Sequence, residues 1–389
     1  MVVACVPVGA WAVVTKDAKQ KMRITPNASI ALDLLRGAAA MTVFLHHANM
    51  FGLDGGALAW FRRDVGHSAV VIFFVLSGYV IAATLRPGGG ALDYAIRRAA
   101  RIYSVAIPAV LLTWLLDLAM VRWNISSEVP AYQLYRPWLY FPIDLSFAGQ
   151  FWRLSEPAFS NTPYWSLTYE VWYYVVFAIA VFARGLARWF LLAATIGVMG
   201  PKLGLLMPIW LGGVAVAYLW KQWRMPRGSC RLLVLVTLGL FVLAKGAHLE
   251  DRINDVTRDS LSGLLPFPLG FSQWFAGDYG IGLLTMGLVY GLNGAEFSFS
   301  PWLAARIAWF ANLSFGLYVA HYPLLLLWHG LMPGHGWIAM GLALACALAF
   351  AAMVEPQKDR LKRILVRSSA RWLPGQPDES TRAAKEPNR

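Results

Sequence analysis

The chain has 389 residues, of which 58% are hydrophobic and only 14% charged. Soluble globular proteins carry about a quarter charged residues, so this composition excludes that class and points to the membrane. The formal net charge is +13; in a membrane protein, excess Lys and Arg mark cytoplasmic loops and anionic headgroups, and a nucleic-acid partner is rejected.

The apolar runs are long rather than short and alternating. The expected class is therefore an all-α, polytopic helical bundle and not a β-barrel. The 18 Trp and 15 Tyr suit interfacial belts. Cys5, Cys230 and Cys346 are scattered and make no metal-ligand spacing.

The chain opens on MVVACVPVGAWAVV, apolar but without the basic start of a signal peptide. Residues 1–27 are expected to be dispensable. A span needs about 20 apolar residues. Candidates lie near 30–51, 67–86, 101–120, 164–183, 187–200, 204–220, 231–246, 275–293, 307–331 and 336–355. That predicts about ten transmembrane helices within a domain covering 28–355. Arg86, Arg97, Arg98, Arg101, Arg184, Arg188, Lys221, Arg224, Arg227 and Arg231 fall in alternate connections. By the positive-inside rule both termini are then cytoplasmic, although Arg62, Arg63 and Arg153 weaken the contrast.

Two outer loops are long, 121–163 and 247–274. Loops of this length usually have a job or structure of their own. The aromatic and carboxylate residues of the first suit either stacking on sugar rings or packing at the membrane surface. From 356 to 389 the chain turns basic, then polar, and a disordered cytoplasmic tail is expected.

The predicted spans carry polar groups that are costly in lipid. In LDLLRGAAAMTVFLHHANM, Arg36 and His47 are 11 positions apart. At 100° and 1.5 Å per residue they share a face, about 16 Å apart along the axis. His46 points about 100° away. Asp33, three residues before Arg36, can pair with it. GAAA at 37–40 leaves a narrow surface for close approach. In RRAARIY, Arg98 and Arg101 share a face; they are either positive-inside anchors or, with Arg36, a grip for phosphates. In NTPYWSLTYEVWYY, Glu170 lies about two turns in, near the expected depth of His47. It is a natural partner for that imidazole, fixing its tautomer, or else it bonds to the Tyr-rich neighbourhood. His321, in LSFGLYVAHYPLL, reads as a packed interhelical donor. Ser77, in FFVLSGYVI, reads as a close-packing residue unless a base lies beside it. His67, His248, His329 and His335 give little signal.

These segments resemble the acyltransferase 3 family, membrane proteins that O-acylate carbohydrates. LDLLRGAAAMTVFLHH resembles its first-span motif, a basic residue, ten residues, then His. FFVLSGYVI, RRAARIY, NTPYWSLTYEVWYY, LSFGLYVAHYP and VEPQKDRLKR follow in the family's order. The resemblance implies that His47 is catalytic and Arg36 acts with it, and that Arg98 and Arg101 contact acyl-CoA. It maps Glu170 and Trp165 onto the fourth-span motif. The implied activity is O-acetyl transfer from cytoplasmic acetyl-CoA to a cell-surface or exported glycan, in the plasma (inner) membrane, with no metal. Some members carry an added esterase-like domain; none is read here, so transfer is expected alone or with a separate partner. The sequence leaves oligomeric state open, and direct transfer through His47 stands beside an acyl-histidine route. The competing class is a secondary transporter using the same buried groups, and the competing acceptor a non-carbohydrate alcohol.

Overall fold

The computed structural model describes residues 24–58, 65–86, 88–126, 128–261 and 267–372. Residues 1–23 of the N-terminal segment, Arg62, Arg63 and residues 373–389 of the tail lie outside them. The described residues form helices and connections with no strand. In chain order the helices are α1 (Pro26–Met50), α2 (Val65–Ala83), α3 (Ala91–Arg122), α4 (Ala131–Leu134) and α5 (Pro137–Leu145). Then come α6 (Trp165–Phe182), α7 (Gly185–Met199), α8 (Pro201–Gln222), α9 (Arg227–Gly246) and α10 (Leu249–Leu261). The last are α11 (Phe275–Ala295), α12 (Pro301–Leu331), α13 (Gly336–Val354) and α14 (Gln357–Trp372).

Among the described residues nine helices are long and apolar enough to cross a membrane: α1, α2, α3, α6, α8, α9, α11, α12 and α13. The tenth expected span, 187–200, is α7, a helix of 15 residues. At 1.5 Å per residue it is about 22 Å long, short of a hydrocarbon core of about 30 Å. Only Leu192 and Met199 of it are buried, so it rides on the outside of the bundle. The tail corrects another expectation. Its described part is helix α14, packed against α3, not a disordered segment. Leu361 and Leu365 lie one turn apart on its half-buried side, an apolar stripe that average polarity conceals.

Helix ends follow local chemistry. Thr25 caps α1, its hydroxyl accepting from the Ala28 N–H at 3.2 Å, with Pro26 as first helical residue. Ser300 and Pro301 repeat the device at α12. Of the spanning helices α12 is the most enclosed and α9 the least. α1 packs on α2 and α12, α12 on α3 and α13, and α8 on α2 and α11. Lipid supplies no hydrophobic drive between helices, so close backbone approach has to hold them. α2 and α8 meet at reciprocal glycines. A Cβ on Gly78 would lie 2.0 Å from the Trp210 carbonyl oxygen, and one on Gly213 2.0 Å from that of Val75. Gly37, from the GAAA stretch, meets Phe310 of α12, where a Cβ would be 2.8 Å from the ring.

The 121–163 connection is packed rather than free. Buried Asp117 accepts from the Ser160 N–H and hydroxyl at 2.8 and 2.6 Å. Glu156 accepts from Tyr132 and Gln133. Tyr135 and Trp138 nonetheless stay exposed, at 78% and 74%. Asp144, in α5, is buried with one carboxylate oxygen unpartnered. Burial, then repulsion by Glu156, pushes its carboxyl up to about 8.

Gly213→Ala should cost about 1–3 kcal/mol or prevent folding, because its methyl meets backbone that cannot move aside; thermal melting of detergent-purified protein reads this. Asp144 supplies a pH prediction. Its folded form keeps a proton that an ordinary aspartate loses near 3.8, so stability should fall as pH rises from about 4 to about 8. Asp144→Asn should therefore melt above wild type at pH 8 and level with it at pH 4.

Candidate active site

α1 is one unbroken helix from Pro26 to Met50, so Arg36 and His47 keep their common face. His47 is half-buried near its C-terminal end. Its Nδ1 lies 2.9 Å from the Val43 carbonyl oxygen and 3.0 Å from Nε2 of His321 on α12. His321 is fully buried, and its Nδ1 lies 2.6 Å from the Tyr318 carbonyl oxygen. Carbonyls only accept, which assigns every proton in a neutral pair. His321 donates through Nδ1 and accepts through Nε2. His47 donates through Nδ1 to Val43 and His321. Among the described residues its Nε2 makes no hydrogen bond and keeps a lone pair.

The partner of His47 is thus His321, not Glu170. His321 is an interhelical residue as expected, but as an acceptor. Glu170 is engaged elsewhere, with Oε1 accepting from the Ser77 hydroxyl at 2.7 Å and from the Tyr174 hydroxyl. Trp210 Nε1 donates to Ser77 Oγ at 3.1 Å. Ser77 therefore has a carboxylate beside it, and the close packing assigned to it is performed by neighbouring Gly78. Depth explains the difference. Phe73, one turn from Ser77, packs on Tyr318 at 5.5 Å, and Tyr318 on His321 at 5.8 Å. Glu170 sits a layer below the imidazoles.

The loop before α6 supports the pair. Pro323 has no N–H, so it releases the Val319 carbonyl of α12. Asn161 Nδ2 donates to that oxygen at 2.7 Å. Thr162 hydrogen-bonds to Tyr322, whose ring meets His47 edge-on at 5.1 Å. Ser166 and Tyr318 share a 2.7 Å hydrogen bond. Trp165 does not meet His47 or His321; it stacks on Phe271 at 4.5 Å and on His67 at 5.7 Å.

The arginines gather away from the imidazoles. Asp33 pairs with Arg36 at 3.0 Å, and Arg101 and Glu355 lie within electrostatic reach of it. Arg97 is neutralised by Asp93. Among the described residues Arg98 and Arg101 form no salt bridge. Arg98 lies over the rings of Tyr94 and Tyr174 at 5.9 Å each, and Arg101 over Phe315 at 5.5 Å. The Nε atoms of Arg36 and Arg98 are buried without a partner among the described residues. This cluster holds more cations than local carboxylates can balance.

Asn161, Tyr322 and the His67–Asp278 contact at 3.0 Å went unread in the sequence. The Asp278 carboxylate is 211 positions from its histidine, beyond any local pattern. Pro323 two residues after His321 was the available signal for Asn161, since a freed carbonyl in a span must find a donor.

A bundle of apolar helices enclosing a hydrogen-bonded pair of imidazoles, with a cation about 16 Å along the same helix, defines a polytopic membrane protein. The acyltransferase domain model of the acyltransferase 3 family matches residues 29–355, and the chain belongs to that family. A curated relative, an O-acetyl transferase of Shigella phage Sf6, is 35% identical over 89 residues, 23% of this chain and 26% of its own length. The chain thus matches about a quarter of that relative. No solved structure matches it.

Asn161→Ala should lower stability by about 1–3 kcal/mol, the cost of an unsatisfied buried carbonyl. Melting should report the loss, and Asn161→Ser, which keeps a donor, should restore part of it.

Proposed function

We propose that the protein is a membrane O-acetyltransferase that moves an acetyl group from cytoplasmic acetyl-CoA to a hydroxyl of a cell-surface or exported glycan. The observation that carries this reading is the hydrogen-bond chain ending in the free Nε2 of His47. Family membership supports acyl transfer, and the partial likeness to an O-acetyl transferase supports acetyl and oxygen. Excess cations at the arginine layer support a cytoplasmic, polyanionic donor.

In this mechanism Arg36, Arg98 and Arg101 hold the phosphates of the donor, and its thioester reaches the imidazole layer. The acceptor hydroxyl comes from the opposite side. Its oxygen attacks the thioester carbonyl carbon while its proton passes to His47 Nε2. The C–S bond breaks, and the proton passes from imidazolium to the thiolate, releasing CoA and the ester. His321 is the positioning residue. It fixes the tautomer and accepts from Nδ1–H as His47 becomes charged. Glu170 takes no part in orienting His47. The membrane is the plasma (inner) membrane, with the arginine layer on the cytoplasmic side.

The test is O-acetyl content of exported glycans in a deletion strain complemented with wild type or variants at equal membrane levels. His47→Ala should lose roughly 10²-fold or more of the activity, the range general-base catalysis contributes. Arg98→Ala and Arg101→Ala should weaken acetyl-CoA binding about tenfold each. Ester unaffected by the deletion would move the acceptor to lipids or small molecules. Full activity in His47→Ala would discard the mechanism.

A further inference from the structure

Between the arginine and imidazole layers lies a polar group that the mechanism above does not use. Glu170 is half-buried within α6, and both of its hydrogen bonds go to one oxygen. The proton directions are settled by chemistry. Trp210 Nε1 can only donate, so it occupies a lone pair of Ser77, and the Ser77 hydroxyl donates to Glu170 Oε1 at 2.7 Å with the Tyr174 hydroxyl 3.0 Å from it. The Tyr174 hydroxyl donates to the same oxygen. Oε2 accepts nothing from the described residues. A carboxylate is thus clamped on one side, with its other oxygen left as an acceptor inside the bundle.

Its place is specific. Tyr174 links it to Arg98, whose guanidinium lies 5.9 Å from the Tyr174 ring. Ser77, Phe73 and Tyr318 link it to His321. Whatever connects bound phosphates to a thioester at His47 must pass this level. In acyl-CoA that connector is the pantetheine arm, a chain carrying secondary amides. An amide N–H taken out of water needs an acceptor there. Asp33, Asp93 and Glu355 sit lower, among the arginines, and His47 Nδ1 is already committed.

We propose that Glu170 Oε2 accepts the hydrogen bond of a pantetheine amide N–H, with Ser77, Tyr174 and Trp210 holding the carboxylate in that orientation. The assignment rests on the acyl-CoA reading above. It makes Glu170 a donor-binding residue that selects a thioester carried on an amide-bearing arm.

The test is equilibrium binding to the full-length protein in nanodiscs, with CoA and with adenosine 3′,5′-bisphosphate, which keeps phosphates but lacks the arm. Glu170→Gln turns an acceptor into a mixed group and should weaken CoA binding about 10- to 100-fold, as for a hydrogen bond to a charged group. It should leave the bisphosphate within twofold, whereas Arg98→Ala should weaken both. In turnover, Glu170→Gln should raise KM for acetyl-CoA and leave kcat at saturating donor within about threefold. Should that variant not fold, Ser77→Ala, which loosens the clamp, should show the same selectivity at about 3- to 10-fold. Equal weakening of both ligands, or a loss confined to kcat, overturns the assignment, as does wild-type affinity for CoA. Wild type that binds neither CoA nor the bisphosphate overturns the donor reading itself, a different failure.

Discussion

The hydrogen bond between His47 and His321 is the constraint on which the site depends. It joins α1 to α12, the most enclosed helix of the bundle, and has a defined polarity only because each ring also faces a backbone carbonyl. Had either ring met a donor instead, the proton assignments would reverse and the free lone pair would be lost. The geometry in turn requires α1 and α12 to lie close. Gly37 against Phe310 allows that approach, and the Asn161 bond to the Val319 carbonyl steadies α12 beside His321.

The same economy governs the other buried polar groups. A membrane interior offers no water, so each group must find protein partners or face a ligand. Asp117, Ser77 and Tyr174 find partners. Among the described residues the buried atoms without a partner include the Nε atoms of Arg36 and Arg98 in the arginine layer, but also oxygens of Asp54, Asp144 and Asp278 and the indole nitrogens of Trp114 and Trp328 elsewhere in the bundle.

Within RRAAR, adjacent residues separate into different roles for a local reason. Arg97 has Asp93 one turn before it and is neutralised in place. Arg98 and Arg101 turn toward aromatic faces of α3, α6 and α12, which attract a cation without cancelling its charge.

Composition and periodicity by themselves determined the helical membrane class, the positions of the spans, the common face of Arg36 and His47, and the Asp33–Arg36 pair. Each depends on residues within a few turns of one helix, where geometry is nearly invariant. The motif order also pointed to His47, Arg98 and Arg101. Which groups meet across helices was decided only by the tertiary structure. His47 found His321 rather than Glu170, Glu170 found Ser77, and His67 found Asp278, because depth and rotation of separate helices follow from packing at contacts such as Gly78 and Gly213. α14 belongs with these, since its apolar stripe becomes a helix face only when α3 is there to cover it.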